Sequence, residues 1–296
     1  MITKLYSIYS YTIGKENNFN NKFIRFIIKH YLNFFIPIYY TLTKKQLGSK
    51  QGDFIVSLTT FPARIDKIWI VIDSILRQTL RPKKIILTLS ELQFEGKKIP
   101  SRLFKLQEEG LLEIIWSSDD IRSHKKYLYS MLKYPDEIIV TIDDDFIYEK
   151  SMLENLYYHH KMYPDCVITH LALERNGANY NDWKNLFLKE VNPTYNIMQF
   201  GGSGVLYPAH SLYTDAFDKT KILELSPLAD DLWLNAMAIM NSTKIVKTNY
   251  KFYLLPLIFK NNKELYAKNV LEDKNNQQIE SIESYYGSIL TNIYFN

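Results

Sequence analysis

Short runs of aliphatic and β-branched residues recur along the chain, spaced by segments of helical length. This alternation constrains the fold more than any other feature. Phe54–Leu58, Lys84–Leu89, Leu111–Trp116, Ile138–Ile142 and Val167–Leu171 are apolar over most of their length. That is the pattern of strands buried on both faces. Between the first two, Ile65, Ile68, Trp69, Ile72, Ile75 and Leu76 fall on one helical face. Further helices are expected around 100–109, ending at Gly110, over 124–133, and over 150–162, stopping before Pro164. Strands alternating with helices predict an α/β fold with a mostly parallel sheet flanked by helices. At 296 residues, one large domain with appendages is expected. Its bounds are read as 53–260, with a helical segment and polar linker over 1–52 and a polar, charged tail over 261–296.

In an open α/β sheet, ligands bind beyond the carboxyl ends of the strands. Three strand ends deliver polar groups there: Thr59 to Arg64, Ser117 to Asp120, and Asp143, Asp144 and Asp145. Three consecutive carboxylates repel one another and are costly to desolvate. No Arg or Lys follows them before Lys150, so a divalent cation is the simplest compensation. Strand alternation puts Asp143 and Asp145 on one side and Asp144 on the other. The plain alternative is an acidic loop after a strand. Downstream, Gly201, Gly202 and Gly204 surround Ser203 in GGSGVLYP, a loop that lets backbone approach a ligand or simply turns into a strand. Asp230 and Asp231 precede the apolar face Leu232, Trp233, Ala236 and Met237, where a carboxylate serves as helix cap or as chemical group. Lys125 and Lys126 in SHKKY suit a phosphate or a solvated face equally.

Composition narrows the function classes. A net charge of +4 is modest and gives no strong case for nucleic acid. The one cysteine, Cys166, rules out an internal disulfide and fits a reducing, cytoplasmic compartment. The 23 tyrosines are read as a general bias rather than as binding residues. Residues 23–42 form an amphipathic helix, ended or kinked at Pro37, with Arg25, Lys29, His30 and Asn33 opposite Phe23, Ile24, Ile27, Ile28, Tyr31, Phe34 and Phe35. Two readings stand: a helix packed on the main domain, or an interfacial helix on the inner face of an anionic membrane.

VSLTTFPARI, SILRQTLRPKKIIL and TIDDDFIY together resemble glycosyltransferases of the GT-A fold, especially the large family-two type. The resemblance covers roughly residues 53–240. It implies a GT-A-like, Rossmann-like domain that moves a sugar from a nucleotide sugar, a UDP-sugar foremost, to a hydroxyl of a glycan or glycolipid. It implies Mn²⁺ or Mg²⁺, inversion at the anomeric carbon, and a place in surface polysaccharide or glycolipid synthesis. By the same resemblance Asp145 holds the metal with Asp143 as its partner, and Asp231, with Asp230 in place of a Glu, is the general base. Gly201, Gly202 and Ser203 shape the sugar and acceptor cleft; Thr60, Arg64, Asp143 and Asp144 join the donor site, with Lys126 at phosphate. The second strand departs from the pattern, ending Leu89-Ser90-Glu91 where Asp-Asp is usual, so Asp120 is expected to meet the base instead. No His follows His210, which leaves a C-terminal metal-binding His without a candidate. A metal-dependent nucleotidyltransferase is the alternative enzyme, although TTFPARI lacks its phosphate-loop glycine. A non-catalytic sugar-binding module is the third reading, and the two acid clusters argue against it.

Overall fold

The computed structural model describes residues 2–13, 19–43, 47–187, 189–251, 254–259 and 273–292. The expected linker at 44–46, and the expected tail at 261–272 and 293–296, fall outside them. Strands β1 (Ile55–Thr59), β2 (Lys84–Ser90), β3 (Leu112–Ser117) and β4 (Ile139–Thr141) lie within a residue or two of the apolar runs. After the short strand β5 (Phe146–Ile147) come β6 (Val167–Thr169), β7 (Val191–Thr194), β8 (Val205–Tyr207) and β9 (Ile245–Lys247). The central sheet has eight strands, in the order β7-β9-β6-β8-β4-β1-β2-β3. β1 pairs parallel with β2 and β4, and β2 with β3. β8 runs antiparallel to both its neighbours, β4 and β6, and β7 antiparallel to β9. The sheet is thus mostly parallel, with β8 reversed in its middle and β7 reversed at one edge.

Alternate residues of these strands feed two separate cores. Val56, Val140, Leu206 and Val246 enter one. Ile55, Ile139, Val205 and Ile245 enter the other. Helices α3 (Ile68–Leu76), α4 (Ser101–Glu108) and α6 (Met152–Met162) close the first face; α5 (Lys125–Lys133), α7 (Asp230–Met240) and α8 (Lys274–Tyr286) close the second. Ile279 and Ile282 of α8 are buried there beside Trp233.

Two further helices, α1 (Ile2–Ile13) and α2 (Phe19–Leu42), pack on each other. The helix expected to end or kink at Pro37 runs on to Leu42. Its orientation also departs from the simple division into polar and apolar faces. Ile28, Leu32 and Ile36 form the ridge buried in the first core. The half-buried residues Arg25, Lys29 and Asn33 flank that ridge on the domain side, while Phe23, Ile24, Ile27, Phe34 and Phe35 are exposed. Asn33 is satisfied by backbone: its Nδ2 donates to Pro256 O at 3.1 Å, and its Oδ1 accepts from Ile258 N at 2.8 Å.

This division is measurable by denaturant unfolding. Leu32→Ala removes a side chain with no exposure and is expected to cost about 2–5 kcal/mol. Phe34→Ala, on the exposed side, is expected to change stability by no more than about 0.5 kcal/mol.

Candidate active site

The regular part of β4 stops at Thr141, and Asp143, Asp144 and Asp145 ride the turn that leads into β5. Strand alternation therefore does not govern them. Asp144 and Asp145, expected on opposite sides, share one guanidinium: Arg64 Nη1 lies 2.5 Å from Asp144 Oδ1 and 3.1 Å from Asp145 Oδ2. Thr60 Oγ1 donates to the other oxygen of Asp144 at 2.5 Å. Arg64 is itself flanked by the rings of Phe61 and Phe259, 5.2 and 5.1 Å from its carbon to the centroids, a favourable placement for a cation.

Asp143 faces the other way. Its Oδ1 accepts from Lys126 Nζ at 2.8 Å, and the same ammonium lies 2.7 Å from Asp230 Oδ2. Lys126 is 4% exposed, so SHKKY is not a solvated face at this position. Lys125 is also buried, but it pairs with Asp120. Asp120 takes further bonds from Gln93 at 2.6 Å and from the backbone N–H of Arg122 at 3.1 Å; these partners are distinct from the carboxylates that hold Lys126.

The start of α7 bears directly on the capping question. Its N-cap is Ala229, with no side-chain capping bond, so neither Asp230 nor Asp231 caps the helix. Asp231 Oδ2 instead accepts from the backbone N–H of Gly201 at 3.0 Å. Asp231 Oδ1 and Asp145 Oδ1 are buried and have no hydrogen-bond partner. The Gly201–Ser203 turn, entering the reversed strand β8, fills the space between the two acid clusters. A Cβ on Gly201 would stand 2.7 Å from Asp231 Oδ1 and 2.8 Å from Lys126 Nζ; one on Gly202 would stand 3.4 Å from Asp143 Oδ2. At Gly201 a side chain would have to displace the Asp231 carboxylate and the Lys126 ammonium, while at Gly202 the fit is tight. Ser203 is fully buried, and its hydroxyl donates to Phe200 O at 2.9 Å while accepting from Leu171 N at 3.2 Å. Its role in this structure is to brace the turn.

The electrostatics follow from crowding. Burial and the charges of Asp143 and Asp144 push Asp145 up to about 7, against the pull of Arg64. Burial and Asp230 push Asp231 up to about 7, against Lys126. Burial alone would raise Asp230 too, but Lys126 and His124 outweigh it and hold that carboxyl below its ordinary value. Lys126, disfavoured by burial, is carried well above the usual lysine range by Asp143, Asp230 and Asp231.

Other site neighbours escaped the sequence reading. Tyr148 Oη accepts from Asp143 N at 2.9 Å and donates to Gly202 O at 3.2 Å, tying the acidic turn to the glycine turn. Its position at the end of TIDDDFIY was the available signal. Lys29 of α2 is half-buried, and Asp145 opposes the lowering that burial causes. A groove of about 1150 Å³ opens on the far side of Tyr148, against Tyr39, Tyr40 and Arg77; neither acid cluster lines it.

The acidic turn offers a divalent cation two carboxylates rather than a complete set of ligands. No group of three or more His, Cys, Asp or Glu among the described residues could hold a metal ion by itself. Mg²⁺-type ions, however, are commonly held by one or two carboxylates together with substrate phosphates. Asp143 and Asp145 supply two such carboxylates, and Asp145 has a buried oxygen with no hydrogen-bond partner.

No family model matches the chain, and no curated protein matches it. Solved structures similar to it include S. aureus TarS 1–349 in complex with UDP, at 14% identity and TM-score 0.47 over 69% of this chain and 60% of that one. Another is mannosyltransferase PcManGT from Pyrobaculum calidifontis in complex with GDP-Man and Mn²⁺, at 12% identity and TM-score 0.47 over 93% and 75%. Apo UDP-glucose pyrophosphorylase is similar at 11% identity and TM-score 0.41 over 80% and 98%. The chain thus spans 60% of the length of the TarS fragment. At these identities the similarity concerns the fold alone.

The raised carboxyls have a stability signature. Asp231 moves from 3.8 to about 7 on folding. The folded state therefore binds this proton more tightly, and the group subtracts stability as pH rises from about 4 to about 7. Asp231→Asn does not titrate, so its stability relative to the parent should increase across that window and level off above it. Urea unfolding at a series of pH values measures this; a relative stability that falls with pH would refute the assignment.

Proposed function

We propose that the chain is a glycosyltransferase that moves a sugar from a nucleotide-sugar donor to an acceptor hydroxyl, with inversion. Residues 53–260 are the catalytic unit, between the segment 1–52 and the tail 261–296. The observation that carries the reading is the Lys126 ammonium, 2.8 Å from Asp143 Oδ1 and 2.7 Å from Asp230 Oδ2. It joins the acidic turn after β4 to the acid pair of α7, two groups far apart in sequence, with Gly201 and Gly202 between them.

In this reading Asp143 and Asp145 hold Mn²⁺ or Mg²⁺. When bound, the ion supplies positive charge to the diphosphate leaving group. Arg64 and Lys126 add fixed positive charge on either side of the turn, where the departing nucleotide gathers negative charge. Thr60 and Arg64 hold Asp144 in place. Gly201 and Gly202 give the donor sugar a backbone floor without side chains, and Ser203 braces it. Asp231 accepts the acceptor's proton as its oxygen attacks the anomeric carbon and the bond to the diphosphate breaks. Its Oδ1 is free of hydrogen bonds, and its raised pKa gives it a proton affinity matched to neutral pH. A UDP-sugar as donor, and a surface glycan or glycolipid as acceptor, complete the proposal. Asp120, paired with Lys125, meets the base of the nucleotide in this proposal.

A panel of nucleotide sugars, with and without Mn²⁺, is the decisive assay, read by NMR of the product's anomeric configuration. Sugar transfer with inversion is expected. Pyrophosphate exchange with a nucleoside triphosphate would indicate a nucleotidyltransferase, and retention would remove Asp231 from the role of base. Asp231→Asn should lower turnover by about two orders of magnitude or more while leaving donor affinity much less affected. Asp145→Asn should abolish the metal-dependent part of donor binding. Because the base must be deprotonated, turnover of the parent enzyme should rise with pH through about 7, the value to which Asp231 is pushed.

A further inference from the structure

Most of the exposed residues of α2 are large and apolar, with Asn20, Lys22, His30 and Thr41 exposed among them. Phe19, Phe23, Phe26, Ile27, Phe34 and Leu42 project away from the domain, with Phe19 79% and Phe34 64% exposed. A helix of 24 residues carries this stripe over roughly 36 Å. Exposed apolar surface of that extent marks an interaction face rather than ordinary surface.

The helix cannot roll to hide it. Its rotational setting is fixed by the buried ridge Ile28, Leu32 and Ile36 and by the two bonds from Asn33 to Pro256 and Ile258. Turning the aromatics inward would expose the ridge and leave two backbone groups without these partners.

Charge selects the occupant. Residues 1–52 contain eight Lys or Arg and a single acidic residue, Glu16. The whole chain carries +4, so the remainder is net negative and the cations concentrate in the segment that bears the stripe. Among them Lys4 and Lys22 are exposed. A second copy docked on the same face would bring two such sets of cations together, whereas an anionic bilayer complements them. Within the described residues no helix is long and apolar enough to cross a membrane, which matches a helix that lies in the interface plane.

From the fixed outward stripe and the basic segment around it, we infer that α2 docks the protein on the surface of an anionic lipid bilayer, its aromatic side seated at the headgroup boundary. The inference is independent of the reaction proposed above. It is tested with the full chain by flotation with phosphatidylcholine vesicles that contain or lack phosphatidylglycerol. Binding to the phosphatidylglycerol vesicles is expected, weakening as salt is raised. The double variant Phe23→Ser, Phe34→Ser should lose roughly tenfold in partitioning while keeping its thermal transition, because both side chains lie outside the core. Leu223→Ser, an exposed position on another helix, should bind like the parent. Undiminished binding by the double variant would overturn the inference, and equal binding to neutral vesicles would overturn the choice of an anionic surface. A dimer in vesicle-free solution that dissociates in the double variant would replace the bilayer with a second copy.

Discussion

The buried ammonium of Lys126 is the contact on which the site depends. Five carboxylates, Asp143, Asp144, Asp145, Asp230 and Asp231, come from two distant stretches of chain. Lys126 bridges the stretches, and Arg64 holds the remaining pair of the acidic turn. Two cations cannot offset five negative charges at close range. Burial and the remaining mutual repulsion push Asp145 and Asp231 both up to about 7. A site in that condition attracts further positive charge, and a divalent cation supplies it without a proton.

Much of this architecture was legible in the sequence because burial on both sheet faces leaves a plain mark. The runs around Val56, Ile86 and Val140 were recognisable as strands, and the acids after Ile142 as a strand-end cluster. What was not legible was the direction and pairing of the strand Val205–Tyr207 after the glycine turn. Three residues carry too little pattern to reveal direction, and its pairing with both β4 and β6 is decided by chain entry from a distance. Yet that strand is what sets Gly201 against Asp231 and Gly202 near Asp143. Lys126 was ambiguous for a similar reason. Paired lysines beside polar neighbours look the same on a solvated face as in a buried charge network. Only contacts across 17 and 104 positions of chain separate the two cases, and neither leaves a local signature. Tyr148 was hidden by the 23 tyrosines of the chain.

The helix α2 shows a different limit. Periodicity reveals that a helix has unlike faces, but not which of them meets the protein. Ordinary patterning would bury the side of Phe23, Ile27 and Phe34. The fold uses a narrower ridge of Ile28, Leu32 and Ile36, and it admits polar residues beside that ridge because backbone groups are waiting for them. Asn33 satisfies Pro256 O and Ile258 N at once.

Those two bonds tie the helix to the acidic turn. The segment they grip contains the short strand Leu255–Pro256, which pairs antiparallel with β5, directly after Asp145. Leu257 N donates to Asp145 O at 2.7 Å. Lys67 adds a bond to Ile258 O, and Phe259 stacks against Arg64. From α2 to the backbone of the residue proposed to bind metal, hydrogen bonds at either end of a single strip of backbone therefore make one continuous path. Displacing the helix must either break the Asn33 bonds, leaving Pro256 O and Ile258 N without these partners, or carry that strip with it and move the backbone of Asp145. Either outcome is costly, so the helix that presents the aromatic stripe is also part of what holds the acidic turn in place.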